Sequence, residues 1–272
     1  MAVPGRRLRR FAYDARNVPM LGSAVEHAYN WYFNRARGHV RLFRGVYANF
    51  AAALAAIPPG QLTSFDNAPS AERVLAEWLA VYPSDYPVMF WLAKLLRDHR
   101  FVFDWGGNVG LKYFAYRRYI DYPPGHHWVV ADVPAVVELG KKTALREGAD
   151  AIRFTTGLED LVRADVLIAA GVLQFIEDPF ATLRAASRIP RHILFNKVPV
   201  GDMPKAVTLH NMGTAFCPYH LFNRRELVSA LDALDYRLVD EWKSPDVSCE
   251  VPFFAEYSIG AYSGFYFEKR ER

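Results

Sequence analysis

The rhythm of apolar and polar positions changes near residue 100. Before it, apolar residues recur at helical spacing, with Val74, Leu75, Trp78 and Leu79 inside residues 71–82 and a similar pattern over 85–96, where Pro87 stands near the start. Pro58-Pro59-Gly60 is a stop signal. Residues 1–97 are therefore predicted to be a mainly helical extension, capping the edge of a sheet or its ligand crevice. From residue 100 short apolar runs alternate with helical patterns. Strands are predicted over 102–104, 128–131, 152–155, 166–169 and 192–195, and helices over 111–120, 134–146 and 180–187. This alternation predicts an α/β domain over 98–272, a doubly wound, Rossmann-like parallel sheet with helices on both faces. The alternation stops at 196–221, a stretch rich in Pro, Gly, Asn and His that is predicted to be a long functional loop. A helix over 223–234, with Asn223 as N-cap, and two final strands over 237–242 and 264–268 complete the pattern.

The first strand runs into Asp104-Trp-Gly106-Gly107-Asn108-Val-Gly110, and the second ends on Asp132. A strand, a glycine turn, a helix and a second acid-ended strand make the nucleoside-binding half of a doubly wound sheet. The glycine spacing selects the ligand. A dinucleotide fingerprint starting at Gly106 needs glycine at 108 and 111, where Asn108 and Leu111 stand, and no Lys-Ser/Thr pair follows to make a P-loop. A carboxylate just before the turn repels a pyrophosphate and suits a cationic ligand. S-adenosylmethionine carries a sulfonium and an ammonium and no phosphate. On this reading Asp104 and Gly106 fix its methionine end, Gly107, Asn108 and Gly110 complete the cofactor-binding turn, and Asp132, followed by Val133, accepts the ribose hydroxyls. Asn108 replaces a glycine but tolerates left-handed backbone angles better than most residues. The spacing from Asp104 to Asp132 exceeds the ~20 residues usual in such units, and the segment 122–127, Tyr-Pro-Pro-Gly-His-His, is predicted to absorb the excess as a loop.

These residues resemble motif I and the second-strand acid of class I SAM-dependent methyltransferases, whose usual motif I is acid-x-Gly-x-Gly-x-Gly. The resemblance implies a seven-stranded sheet closed by an extra strand pair. It places Gly171, in Ala169-Ala-Gly171-Val-Leu-Gln174, beside the methyl donor, and Leu158 against adenine. Asp178-Pro179 reads as a helix N-cap and first helical residue. The chain is most similar to a family of bacterial methyltransferases linked to cell-surface polysaccharide synthesis. Phe43-Arg-Gly45-Val-Tyr47, Leu173-Gln174-Phe175, Leu209-His210-Asn211, Cys217-Pro-Tyr219 and Trp242 carry that likeness, over roughly residues 43–267. The family implies a saccharide precursor or other small molecule as acceptor. Methylating a hydroxyl calls for a base, and His210, then His220, are the candidates by side-chain type. A His-Cys-His metal site in the same stretch lacks the spacing of a closed zinc site, and no metal is expected. His126 and His127 are expected to be exposed loop residues.

Composition narrows the partners. The chain has 272 residues, 51% of them hydrophobic, and a net charge of +4, which suits one large or two small domains and is no nucleic-acid signature. Nucleic-acid methylation would also call for a Pro-Pro-Tyr-type tetrapeptide where Gly171-Val-Leu-Gln174 stands. Positive charge gathers in Arg6, Arg7, Arg9 and Arg10 and in Arg35, Arg37, Arg41 and Arg44. It reads either as a solvated terminus or as weak contact with an anionic membrane surface. Two cysteines make no disulfide scaffold, no apolar run follows the first arginines, and residues 50–57 are too short to cross a bilayer, so the cytoplasm is expected. Two rivals remain at this point: a non-catalytic protein of the same fold that binds a nucleoside or a partner, and an enzyme using NAD or a nucleotide sugar.

Overall fold

The computed structural model describes residues 22–38, 40–64, 66–67 and 79–271. Residues 71–78 of the predicted helix over 71–82 lie outside them, as do Arg6, Arg7, Arg9 and Arg10, and the described end of that prediction, residues 79–82, is not helical. Helix α1 (Gly22–Arg35) leads to strand β1 (Leu42–Tyr47), helix α2 (Phe50–Ala55) and helix α3 (Asp85–Leu95). Then follow β2 (Phe101–Trp105), α4 (Leu111–Tyr116), β3 (His127–Ala131), α5 (Pro134–Arg146), β4 (Ile152–Thr155), β5 (Val166–Ala170), α6 (Pro179–Ala185) and β6 (His192–Val198). The chain closes through β7 (Val200–Gly201), β8 (Ala206–Asn211), β9 (Phe216–Asn223), α7 (Arg224–Asp232), β10 (Tyr236–Ser244) and β11 (Tyr262–Lys269).

The larger sheet has seven strands in the order β10-β11-β6-β5-β2-β3-β4. Five are parallel, and β11 runs antiparallel to both β6 and β10. The sheet is apolar on both faces because alternate residues of each strand enter different cores. Phe103, Val129, Leu167 and Phe195 pack with Leu183 of α6 and Leu227 of α7. Val102, Val130, Ile168 and Leu194 pack with Leu92 of α3 and Phe114 of α4. The predicted caps are in place: Asp178 accepts the Ala181 N–H at 2.8 Å with Pro179 at the start of α6, and Asn223 accepts the Glu226 N–H at 3.1 Å.

The second sheet, β1-β8-β9-β7, corrects one expectation and adds to another. Residues 196–221 are not a long loop but mostly strand, and the N-terminal stretch, predicted mainly helical, also supplies a strand. β1 pairs antiparallel with β8, with Phe43 opposite His210. A strand from within 1–97 is thus sewn to one from within 98–272. The arginine reading changes too. The Arg44 guanidinium lies 4.7 Å over the Phe33 ring and donates to Asn34 Oδ1, while Arg41 donates to the Tyr262 hydroxyl at 2.8 Å. These two side chains are half-buried parts of the second sheet's packing. Among the described residues no helix is long and apolar enough to cross a membrane.

Candidate functional site

The chain runs from β2 outward to β3 and β4, then returns to place β5 on the other side of β2. The crevice at such a reversal, outside the carboxyl ends of the strands, is where doubly wound sheets take ligands. A cavity of about 950 Å³ lies there, lined at the strand tips by Gly106, Asp132, Leu158, Gly171 and Lys197.

The glycine turn is built for close approach. Gly106 has φ +68, and a Cβ on it would stand 2.3 Å from Val172 Cγ2. At Gly107 a Cβ would meet the Asp104 carboxyl at 2.4 Å, so the turn lies directly on that acid. Asn108 takes φ +57, the left-handed conformation that the sequence allowed it, and its Oδ1 accepts the Val109 N–H at 2.8 Å. The Asn108 N–H donates to Asp132 Oδ2 at 2.9 Å, and the Val133 N–H donates to Asp132 Oδ1 at 2.8 Å. Asp132 is thereby held at the crevice with acceptor capacity left on both oxygens. Burial raises its pKa, against the two backbone N–H bonds.

Asp104 departs from expectation. It is fully buried, does not line the cavity, and accepts the Trp128 indole N–H at 3.2 Å. Burial pushes its carboxyl up to about 7, against the Trp128 bond and the Lys112 charge. Its place is beneath the turn, facing the α3–α4 side, because Val102 and Asp104 share one face of β2 while Phe103 and Trp105 share the other. Gly107 and Gly110 also shape the turn from behind, whereas Gly106, Asn108, Asp132, Val133, Leu158 and Gly171 reach the lining.

The two candidate bases are not in the cavity wall. His210 lies on β8, stacked on Phe43 at 4.5 Å between ring centroids and edge-on to Tyr219. His220 lies on β9 with its ring 4.5 Å from that of Phe50 and its Nε2 2.8 Å from the Glu177 carbonyl oxygen. Burial pushes the His220 pKa down to about 4. Both point into aromatic packing because the stretch that carries them is strand, where alternate side chains turn inward. His126 is likewise packed, against Tyr113 and Tyr122, while His127 is exposed. Among the described residues no group of three or more His, Cys, Asp or Glu is placed to hold a metal.

Spacing and motif missed the two cations that line the cavity among the described residues. Lys112, on α4, sits 2.7 Å from Asp85 Oδ1, which also accepts the Tyr116 hydroxyl at 3.0 Å. Lys197 lies 3.8 Å from both Asp85 and Asp246 and 4.5 Å over the Tyr82 ring. A lysine at the end of an apolar strand run was the available signal. Phe50, Cys217 and Pro218 bring α2 and the second sheet to the same cavity.

No protein-family model and no curated protein matches the chain. Among solved structures it is similar to the CcbJ methyltransferase from Streptomyces caelestis, at 14% identity over 77% of this chain and 99% of that one, with a TM-score of 0.50. It is also similar to a proposed sarcosine dimethylglycine methyltransferase from Galdieria sulphuraria, at 10% identity over 77% and 100%, with a TM-score of 0.52. The larger sheet therefore has the Rossmann-like fold of the class I methyltransferases.

Proposed function

We propose that the chain is an S-adenosylmethionine-dependent methyltransferase acting on a small molecule. One observation carries this reading: Asp132 and the left-handed Gly106–Asn108 turn, at neighbouring strand tips, open together on one cavity at the sheet's reversal point. The residues fit the donor. Leu158 and Thr156 at the tip of β4 offer a wall for adenine, Asp132 offers acceptors to the ribose hydroxyls, and Gly106 and Gly171 let backbone approach the sulfonium end. When bound, S-adenosylmethionine supplies an electrophilic methyl group. The protein's part is to hold donor and acceptor in line and to exclude water, which accounts for much of the rate in such transfers. Asp104 supports the turn from below rather than meeting the ammonium. The saccharide acceptor implied by the sequence resemblance is the finer form of this proposal.

Calorimetry with S-adenosylhomocysteine tests the reading. The native chain is expected to bind it, and Asp132→Ala to weaken binding at least tenfold. No binding at millimolar ligand favours the non-catalytic rival, and unchanged affinity in the variant removes Asp132 from the ribose site.

A further inference from the structure

The strand tips run in one line: Leu158 beyond β4, Asp132 beyond β3, Gly106 beyond β2, Gly171 beyond β5, then Lys197 within β6. At ~4.8 Å per strand, Lys197 stands about 14 Å from Asp132 along the sheet edge. A donor with adenine at β4 and ribose at β3 brings its sulfur toward the β2–β5 gap. The β6 end is left to the acceptor.

Lys197 is built into that end by a distortion. Val198 pairs with Ser263 and Phe195 with Phe265, so Asn196 and Lys197 together face Gly264 alone. This is a β-bulge, a device that re-aims a side chain. Lys197 takes φ +55 there, a conformation that costs a non-glycine residue about 1–2 kcal/mol. The bulge is pinned: Asn196 Oδ1 accepts the Trp242 indole N–H at 3.1 Å, and Asn196 Nδ2 donates to the Ser84 carbonyl at 2.9 Å. The side chain is 16% exposed, and its nearest carboxylates, at 3.8 Å, lie beyond hydrogen-bond range. Asp85 is committed to Lys112, and Asp246 accepts from the Ser84 N–H and hydroxyl. Lys197 thus keeps donor sites for the cavity.

The lining narrows the acceptor. Asp132 is its single acid and Lys112 and Lys197 its only cations among the described residues. Away from the donor's strand tips, the described wall is largely apolar, with Phe50, Leu54, Phe175, Ile176 and Met212, and carries the hydroxyls of Thr63, Ser64, Tyr82 and Thr214. A wall with so much apolar surface suits a flat, largely apolar acceptor better than a sugar ring, which needs polar partners all round, and among the described residues a cationic amine meets no carboxylate there.

Resting on the methyltransferase reading, we propose that the acceptor is a flat, largely apolar molecule with an acidic hydroxyl, a phenol or enol, and that Lys197 takes the hydroxyl proton. The hydroxyl proton passes to the Lys197 amine. The acceptor oxygen bonds to the methyl carbon while the carbon–sulfur bond breaks, leaving its electron pair on the sulfur of S-adenosylhomocysteine. The products are a methyl ether, the neutral thioether and a Lys197 ammonium that returns its proton to solvent. Burial holds the Lys197 pKa down at about 8, with Lys112 and the more distant Arg41 pushing the same way and Asp85 and Asp246 pulling it back up. A useful fraction of the amine is therefore free near neutral pH.

The probes are 2-naphthol, 2-(aminomethyl)naphthalene and methyl β-glucoside. Each is titrated into the S-adenosylhomocysteine complex, then offered with S-adenosylmethionine while S-adenosylhomocysteine release is followed. The naphthol is expected to bind and be methylated, with turnover rising to a plateau above about pH 8, and the other two to do neither. Lys197→Met is expected to keep its S-adenosylhomocysteine affinity within about twofold and lose about 100-fold or more in naphthol turnover. Should that variant misfold, Lys197→Arg, which keeps the charge without a usable base, is expected to show the same split. With S-adenosylhomocysteine bound, failure of the naphthol to bind or react overturns the acceptor proposal alone. So does turnover of the amine or glucoside, or a Lys197 variant that keeps its turnover. A native chain that binds no S-adenosylhomocysteine overturns the methyltransferase reading and this proposal with it.

Discussion

Replacing Asp85 by Asn is expected to unsettle both the fold and the cavity. The carboxylate is fully buried, takes the Lys112 ammonium at 2.7 Å and the Tyr116 hydroxyl at 3.0 Å on one oxygen, and accepts the Tyr82 N–H at 3.0 Å on the other. Asparagine can keep part of this hydrogen bonding but supplies no charge, so Lys112, 11% exposed, loses its counter-ion. Breaking a buried pair from one side costs about 3–5 kcal/mol. The residual exposure of Lys112 argues for the lower end, about 3 kcal/mol, or roughly 6–12 °C in Tm for a chain of this size. Urea denaturation at pH 7 measures it. The double variant Asp85→Leu/Lys112→Met removes both charges and is expected to lose less than Asp85→Asn alone, because no ion is left stranded. Burial raises the Asp85 pKa, but Lys112, Lys197 and the hydrogen bonds outweigh it and leave it below the ordinary value of 3.8. The pair's contribution is therefore present above that value and lost as pH falls through the lowered one, so the Asn variant's deficit should vanish in acid. A deficit under ~1 kcal/mol at pH 7, or a double variant worse than the single, refutes this account.

Two further outcomes follow from the turn. Asp104 has its pKa raised by burial from 3.8 to about 7, so the folded state holds a proton that the unfolded chain gives up. Its contribution to stability is greatest below 3.8 and is lost as pH rises toward 7; Asp104→Asn should gain relative to wild type, in urea midpoint, between pH 5 and pH 8, and a difference independent of pH counts against it. Gly106→Ala should lose about 1–2 kcal/mol to its left-handed backbone and a further ~1–3 kcal/mol to overlap with Val172. In a Val172→Ala background only the backbone part should remain, and equal losses in both backgrounds would show that Val172 does not crowd this position.

The parallel sheet was legible because its signals are local. Residues 152–155 and 134–146 matched β4 and α5, since an apolar run bounded by turn residues and a proline-started amphipathic stretch each declare themselves within a few positions. Asn108 could be read as left-handed for the same reason. The second sheet was not legible. β8 and β9 carry Pro, Asn and His, which resemble loop by composition, and what makes them strands is pairing with each other and with a segment far away in sequence. That hidden pairing is why His210 and His220 looked available and are packed. Lys197 escaped notice because a bulge and an inverted φ are tertiary facts, set by Gly264 and Trp242 on other strands.

The seam between β1 and β8 also bears on how the molecule is made. The Thr208 hydroxyl reaches the Arg44 carbonyl across 164 residues of chain. At ~5–20 residues per second of synthesis, β1 leaves the ribosome roughly 8–30 s before its partner exists. During that interval Leu42 and Phe43, buried in the finished molecule, have no native strand to cover them. The nascent chain is thus exposed to off-pathway strand pairing until its last third is translated, and a chaperone-poor host should show this first as aggregation of full-length product.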